Sequence, residues 1–409
     1  NYGSYVVWGL WVAMYLFFAG VSTGSYMIAT LDYLFDIKLF KGTGKSALWA
    51  ALVTMPAALI TIAMDLGHWE RIWKVYLQPQ FNSLLTQMVW GYTIFVLIIL
   101  LSLWVIIRHP GSSWIKPIFA FGLFMAIFLS GGVGALLGVN ASRTFWHVGL
   151  LPAQFPFFSL ASGTALMLII LGWFGPKDDE RRPQQLWALA MLTVVLSLIK
   201  LYFLWTDFSQ SLYGGIPDNV LAVREVLFGR YWWAFWFLQI LFGTIVPIIM
   251  LVQPKYAKSG AWAGAMGALI LMGFAVARAN IVFPALSIPE LQGLANAFTG
   301  PHLNFDYFPS LMEWSIVLGV AGMATLAFLL GLDNITVPYC GSASENPQLV
   351  YIIPAIFSSR KNVFIKGPLW IAAASGHTRV TFSGTASTRL RRLHMIATRI
   401  FFSVGFLTR

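Results

Sequence analysis

A cluster of ionisable side chains stands at the edge of a long apolar run, in a chain where only 10% of the residues are charged. Asp65, His68 and Arg71 lie within the stretch MDLGHWERIWKVYLQPQFNSLLTQMVWG, residues 64–91. A carboxylate accepts hydrogen bonds or a proton, and an imidazole titrates near neutral pH. The pattern is consistent with two roles. The cluster either caps the helix and fixes the loop by ion pairs, or it supplies a hydrogen-bond or proton partner for a ligand at the membrane edge.

Aromatic side chains surround this cluster, and they also admit two interpretations. Trp69, Trp73, Tyr76 and Trp90 are the kind of residues that form a belt at the membrane–water interface. The same rings are able to wall a flat ligand. The sequence favours the belt.

A second group of charges lies within the apolar runs or at their ends. It comprises Lys200, with Tyr202 beside it, Arg278 and Glu313. An ionisable group deep in a bilayer costs about 2.5–3.5 kcal/mol even on insertion scales, so such residues are rare and usually functional. We expect either a buried network in which these charges neutralise one another or a series of stations in a proton path.

The sequence offers few ligands for redox cofactors. None of the six histidines lies in the middle of an apolar run, which argues against bis-histidine haem b. Cys340 is the only cysteine, which excludes a four-thiolate iron–sulfur cluster held by this chain alone. There is no Walker A loop and no plausible metal-ligand cluster. If the protein moves electrons, a partner must carry the redox centres.

The elements that position these residues are predicted to be membrane-spanning helices. Hydrophobic residues make up 58% of the 409 residues, and a spanning helix needs about 20 mostly apolar residues. Nine runs qualify, and they are too long and too uniform in polarity for strands. They are residues 6–30, 46–66, 83–107, 115–138, 152–174, 185–206, 231–252, 259–283 and 310–332.

The distribution of basic residues predicts the orientation. Ten Lys and Arg residues follow the odd-numbered runs, against five on the other side, and the richer side should be cytoplasmic. The N-terminus and the loop after the second run are then periplasmic, in a bacterial or archaeal cytoplasmic (inner) membrane. The net charge of +11 fits membrane-side loops better than nucleic-acid binding. Because the sequence begins at Asn1 rather than Met, we expect further residues upstream.

Three stretches resemble the NrfD/PsrC family of quinone-interacting membrane subunits. They are WGLWVAMYLFFAGVSTGSYMIA (8–29), MDLGHWERIWKVYLQPQFNSLLTQMVWGY (64–92) and GVGALLGVNASRTFWHVGLLPAQFPFFSLASGTALMLI (132–169). Two more, ARANIVFPALSIPEL (277–291) and FDYFPSLMEWSIVLG (305–319), are similar to the long members found in the Qrc, Hmc and Dsr complexes and in alternative complex III. The resemblance covers residues 1 to about 335.

The resemblance implies an all-α polytopic membrane protein with two four-helix bundles and extra C-terminal helices, nine or ten in total. The implied domains are a first bundle with the quinone site, a second bundle, a periplasmic loop with the ninth helix, and a basic tail of uncertain structure. Their ranges are 1–138, 139–283, 284–335 and 336–409.

The resemblance also implies a site and its partners. A periplasmic ferredoxin-like iron–sulfur subunit, accompanied by further catalytic or multihaem cytochrome subunits, would pass electrons to menaquinone near the end of the second span. By matching position, Asp65 is the acidic residue beside the quinone, and His68 and Arg71 belong to the same loop. Weaker matches are Tyr15, Ser22 and Thr23 on the first span, and Trp90 is a further candidate for the quinone-binding wall.

Asp65 and His68 are the candidate proton donors, because quinone reduction takes up two protons with two electrons. Arg71 would hold charge. Protons taken from the periplasm would leave the reaction electroneutral. Protons drawn from the cytoplasm, through Lys200 and Glu313 of the second bundle, would add to the membrane potential. The alternatives are an ion-translocating module without quinone chemistry, a secondary transporter and a passive anchor.

Overall fold

The protein is described from a computed structural model, which covers residues 6–177, 179–289, 294 and 305–335. Within these ranges the chain is helical and has no strand, and nine helices are long and apolar enough to cross a membrane. We number them α1 Leu10–Tyr33, α2 Gly44–Asp65, α3 Leu84–Arg108, α4 Ile115–Gly138, α5 Leu151–Phe174, α6 Arg182–Tyr213, α7 Ala234–Leu251, α8 Gly260–Leu286 and α9 Leu311–Ile335. The predicted all-α polytopic fold is confirmed.

Short helices occupy several of the connections. They are Lys38–Phe40, Trp69–Arg71, Lys74–Leu77, Pro217–Leu227 and Pro254–Ala257. The largest departure from the predicted spans is in α6, which continues past residue 206 to Tyr213. The tail from 336 to 409, and with it the question of a tenth helix, lies outside the described residues.

The first eight spanning helices pack as two rings of four, which we call the first bundle (α1–α4) and the second bundle (α5–α8). In the first ring α1 packs on α2 and α4, and α3 also packs on α2 and α4. In the second ring α5 packs on α6 and α8, and α7 lies against α6 and α8. The rings meet where α1 packs on α5 and α8 and where α4 packs on α5. The domain boundaries at residues 138, 283 and 335 stay predictions.

Small residues permit the closest helix contacts, as expected for a membrane bundle. A Cβ built on Gly24 of α1 would lie 1.8 Å from the carbonyl oxygen of Ser159, and one built on Gly163 of α5 would lie 2.3 Å from the carbonyl carbon of Gly24. Gly260 and Gly264 of α8 meet the end of α5 in a similar way. Gly24 and Gly163 therefore join the two rings, whereas Gly260 and Gly264 allow a close contact within the second ring.

The ninth helix lies outside the rings, against α2 and α1. The indole Nε1 of Trp49 donates a hydrogen bond to the carbonyl of Phe328 at 3.1 Å. The backbone N–H of Leu10 donates to the hydroxyl of Tyr307 at 2.7 Å, four residues before α9 begins. The start of α9 thus lies beside the start of α1 and the end of α2.

Two spanning helices contain π-helical turns, which are rare and often occur at functional sites. They cover Ile170–Phe174 in α5 and Ala234–Ile245 in α7. In α7 the hydroxyl of Thr244 donates to the carbonyl of Gln239 at 2.8 Å. The wider turn places both residues in the interior of the second ring.

Candidate functional site

Asp65 is the last residue of α2, and the chain leaves the helix in extended conformation at Leu66. Its side chain is half-buried, and its carboxylate receives no hydrogen bond from the residues that the structure describes. Glu313, at the start of α9, is close enough for the two carboxylates to interact electrostatically. Within the described residues, the carboxylate is therefore open to a hydrogen bond from water or from a ligand at the membrane edge.

His68 and Arg71 lie beside Glu70 rather than beside Asp65. His68 Nδ1 lies 2.9 Å from Glu70 Oε1, and Arg71 Nε lies 3.9 Å from the same oxygen. All three side chains are exposed. A backbone N–H and the hydrogen bond from His68 hold the pKa of Glu70 below its ordinary value. Among the described residues, the polar side chains of the loop thus bond one another and not Asp65.

Trp90 fastens the loop to α3. Its indole Nε1 donates a hydrogen bond to the carbonyl of Val75 at 3.3 Å, and its ring lies 5.6 Å from that of Tyr76. Trp69 and Trp73 are exposed. This arrangement is that of an interfacial belt, in which Trp90 and Tyr76 both join the loop to α3, the latter through a hydrogen bond of 2.9 Å to the hydroxyl of Thr93.

The weaker candidates on α1 point into the bundle interior. Tyr15 and Tyr92 share a hydrogen bond of 2.9 Å between their hydroxyls. The hydroxyl of Thr23 lies 2.9 Å from that of Ser130. Ser22 donates to the carbonyl of Ala51 on α2 at 2.7 Å. Ser22 therefore links two helices, whereas Tyr15 belongs to a buried phenol pair.

Arg278 lies between the two bundles and is only 2% exposed. Its guanidinium carbon stands 3.9 Å from the centre of the Phe155 ring, and Nη1 has no hydrogen-bond partner within the described residues. A small cavity beside it is also lined by Thr23 and Tyr92. The guanidinium thus meets an aromatic face and a polar cavity, with no ion pair recorded in the described part of the chain.

Lys200 is equally buried, in the second bundle. Its Nζ donates to the hydroxyl of Thr244 at 3.0 Å and lies 4.6 Å from the centre of the Phe274 ring. Tyr202 is 63% exposed and packs beside Trp205 on the outer face of α6. Residues two apart on an α-helix are rotated by about 200° around its axis, so Lys200 and Tyr202 lie on opposite faces of α6. Tyr202 therefore lies away from Lys200.

Glu313 has a structural role at the start of α9. Its carboxylate accepts hydrogen bonds from the Tyr307 hydroxyl at 2.8 Å and from the Ser310 backbone N–H at 2.8 Å. The Ser310 hydroxyl in turn lies 3.3 Å from the Glu313 N–H, which completes a capping box. The structure thus brings Glu313 to Tyr307 and the end of α2 rather than to Lys200.

Sequence reasoning missed a set of polar residues in the second bundle. Gln154, Asp207, Gln239 and Asn280 line one cavity together with Lys200. Asp207 was placed beyond the predicted end of its span, and it follows Lys200 by seven residues, two helical turns on the same face. The sequence indicates these polar residues in two ways: by the seven-residue spacing of Lys200 and Asp207, and by the amide side chains inside apolar runs. No group of three or more potential metal ligands occurs among the described residues.

Comparison with known proteins identifies the family. The model of the family described as "Polysulphide reductase, NrfD" matches residues 1–290. The chain belongs to the NrfD family. The sequence resemblance is confirmed at this level, and the chain is a multi-pass integral membrane protein.

Relatives of the NrfD family align over most of their length. The C subunit of selenate reductase from Mesobacillus selenatarsenatis is 30% identical, over 82% of this chain and 87% of that protein. The Hdr-like menaquinol oxidoreductase integral membrane subunit of Archaeoglobus fulgidus is 27% identical, over 80% and 84%. The menaquinone reductase integral membrane subunit of Nitratidesulfovibrio vulgaris is 20% identical, over 80% and 82%.

Proposed function

We propose that this protein is the membrane subunit of a respiratory oxidoreductase complex, and that it exchanges electrons between a partner's redox centre and menaquinone. Membership of the NrfD family supports this proposal. So do the names of two relatives, one a menaquinol oxidoreductase subunit and the other a menaquinone reductase subunit. The chain is not catalytically complete alone in this proposal, because the electrons come from or go to another subunit.

The observation that supports a quinone site at the end of α2 concerns the carboxylate of Asp65. It is half-buried at the end of α2 and has no hydrogen bond within the described residues. The neighbouring His68 and Arg71 lie beside Glu70 instead. A headgroup with carbonyl or hydroxyl oxygens fits such a group, which accepts a hydrogen bond when ionised and donates one when protonated. Menaquinone would supply the two-electron chemistry, and Asp65 would hold or move a proton at its oxygens.

The neighbouring residues take supporting roles in this proposal. His68 is exposed on the same loop, and its imidazole would exchange protons between Asp65 and water. Arg71 adds positive charge on the same surface. Tyr15 and Trp90 would border the headgroup from α1 and α3, and Ser22 is engaged with α2.

The partner proposed for this surface is a ferredoxin-like iron–sulfur subunit, with catalytic or multihaem cytochrome subunits beyond it. The loop between α2 and α3 presents exposed Trp69, Trp73 and Leu77 beside its charges. Protein interfaces are enriched in aromatic residues and in Arg relative to the rest of the surface. The basic-residue count favours the periplasmic side for this loop and for the N-terminus.

A second candidate function, an ion-translocating module, is favoured by the buried cations of the second bundle. Lys200 and Arg278 are each 2% exposed, and groups of this kind in membrane proteins usually belong to ion or proton pathways. This function is compatible with the first. It becomes the alternative if the complex shows no quinone chemistry at Asp65.

Substitution of Asp65 in the intact complex tests the proposal. General acid–base catalysis contributes about 10²–10⁴-fold, so Asp65→Asn is expected to lower turnover with a soluble menaquinone analogue at least about 100-fold. Activity of the partner subunits with an artificial dye should stay unchanged. Glu70→Gln serves as the matched control in the same loop, with near-normal quinone turnover. Full quinone activity in Asp65→Asn would move the site elsewhere.

A further inference from the structure

The core of the second bundle contains a cavity with an unusual set of polar side chains. We call it the second-bundle cavity. It has about 50 Å³ of space for the centres of water molecules and lies among α5, α6, α7 and α8. Most of its wall is aromatic or aliphatic. Its polar side chains include Gln154, Lys200, Asp207, Gln239 and Asn280.

Asp207 is incompletely bonded in this cavity. Its Oδ2 accepts a hydrogen bond from Gln154 Nε2 at 2.5 Å. Its Oδ1 is buried and has no hydrogen-bond partner within the described residues. Buried carboxylate oxygens without a protein partner are normally bonded to water or protonated. The cavity is polar and has room for water, so it is able to supply that partner.

Lys200 faces the same cavity from a different depth. It precedes Asp207 by seven residues on α6, which places the two Cα atoms about 10 Å apart along the helix axis. Among the described residues its amino group makes one hydrogen bond, to Thr244, although a protonated amino group has three donors. No ion pair joins Lys200 to Asp207 in the described residues. Water between them would bond the open donors and the open carboxylate oxygen.

The other groups around the cavity are neutral. From α5 comes Gln154, and from α7 and α8 come Gln239 and Asn280, which are joined by a hydrogen bond of 2.7 Å. Arg278 on α8 faces the other way, toward the bundle interface, but its charge still acts on Lys200. Asp207 is thus the one carboxyl among the residues that line this cavity, with two buried cations nearby.

We propose that the second-bundle cavity is a proton-binding site, with Asp207 as the carboxyl that takes up and releases the proton and with cavity water as its carrier. In the step, the carboxyl O–H bond breaks and the proton passes to a water molecule, which leaves a carboxylate; no electron moves. This inference deepens the proposed function, on which it rests, because quinone chemistry takes up and releases protons. The site is separate from Asp65.

The topology gives this site its side of the membrane. Successive spanning helices run in opposite directions, so α2 and α6 end on the same face. Asp207 lies six residues before the end of α6, and Ser211, one turn further, also lines the cavity. The cavity therefore faces the same side as Asp65, and protons reach Asp207 from that side.

Infrared difference spectroscopy of the purified complex tests the proposal. Spectra between mildly acidic and mildly alkaline buffer are expected to show the C=O band of a protonated carboxyl, shifted in D₂O. The band should disappear in Asp207→Asn. In Gln154→Leu, which keeps the carboxyl but removes its hydrogen-bond donor, the band should move rather than vanish. This second variant keeps the test valid if Asp207→Asn does not assemble.

Three results would overturn the proton-binding site: no exchangeable carboxyl band, no component of the band that is lost in Asp207→Asn, or no component that Gln154→Leu moves. Loss of turnover on substitution of Asp65 tests the proposed function independently, so the two failures are distinguishable.

Discussion

Replacement of Gly24 by alanine is expected to separate the two bundles at their closest contact. A Cβ at this position would lie 1.8 Å from the carbonyl oxygen of Ser159 and 3.0 Å from the amide nitrogen of Gly163. Both obstructing atoms belong to the backbone of α5, so no side-chain rotation relieves the clash. The two helices must move apart by more than about 1 Å.

The cost of this separation has two parts. Overpacking of a close-packed interface costs about 1–3 kcal/mol, and obstruction by rigid backbone places Gly24→Ala at the upper end. The movement also stretches the hydrogen bonds that join Thr23 to Ser130 at 2.9 Å and Ser130 to Ser159 at 3.0 Å. Such bonds between membrane helices are worth about 0.6 kcal/mol each. We expect a total loss of about 4 kcal/mol.

Thermal melting of the purified protein in detergent measures this loss. The Gly24→Ala midpoint should fall by several degrees. Gly319→Ala is the matched control, since Gly319 lies on the exposed face of α9 and a Cβ there meets nothing within 4 Å. A wild-type midpoint in Gly24→Ala would refute the close contact between α1 and α5, as would an equal fall in the control.

Two further predictions concern the face on which α9 begins. Glu313→Gln should lower the free energy of unfolding by about 1.5–3 kcal/mol, because the charged hydrogen bonds to Tyr307 and Ser310 are lost. The loss should be visible as a lower melting midpoint and faster proteolysis. A midpoint no lower than that of Ser315→Ala, on the exposed face of the same helix, would contradict this prediction. Burial raises the pKa of Tyr231 to about 12, so its contribution to stability is complete below its unfolded pKa of about 10 and is lost as pH rises through 12. Melting midpoints across alkaline pH should therefore fall less steeply in Tyr231→Phe, and identical slopes would count against the assignment.

The fold was largely predictable because the bilayer sets the length of each apolar run. All nine predicted runs correspond to spanning helices among the described residues, and the charged loops fall between them. The end of α6 was placed too early because Asp207 and the polar residues after it lower the local hydropathy. A buried polar face on a long helix produces that pattern as readily as a loop does.

The positions of the site residues were only partly predictable. Helix periodicity alone separates Tyr202 from Lys200, and the SLME sequence from Ser310 to Glu313 is a readable capping box. The hydrogen bond between Tyr15 and Tyr92 joins residues 77 apart in the chain. It depends on how the helices pack, which local sequence patterns do not specify.

Photolabelling tests most directly whether the quinone headgroup lies beside Asp65. The intact complex is treated with an azido-menaquinone whose reactive group is on the headgroup. The labelled peptides are then identified by mass spectrometry. If the headgroup lies beside Asp65, the segment 60–75 is labelled, excess menaquinone competes with the label, and labelling is weaker in Asp65→Asn than in Glu70→Gln. Labelling confined to α5–α8, or unchanged in Asp65→Asn, would contradict this position of the headgroup.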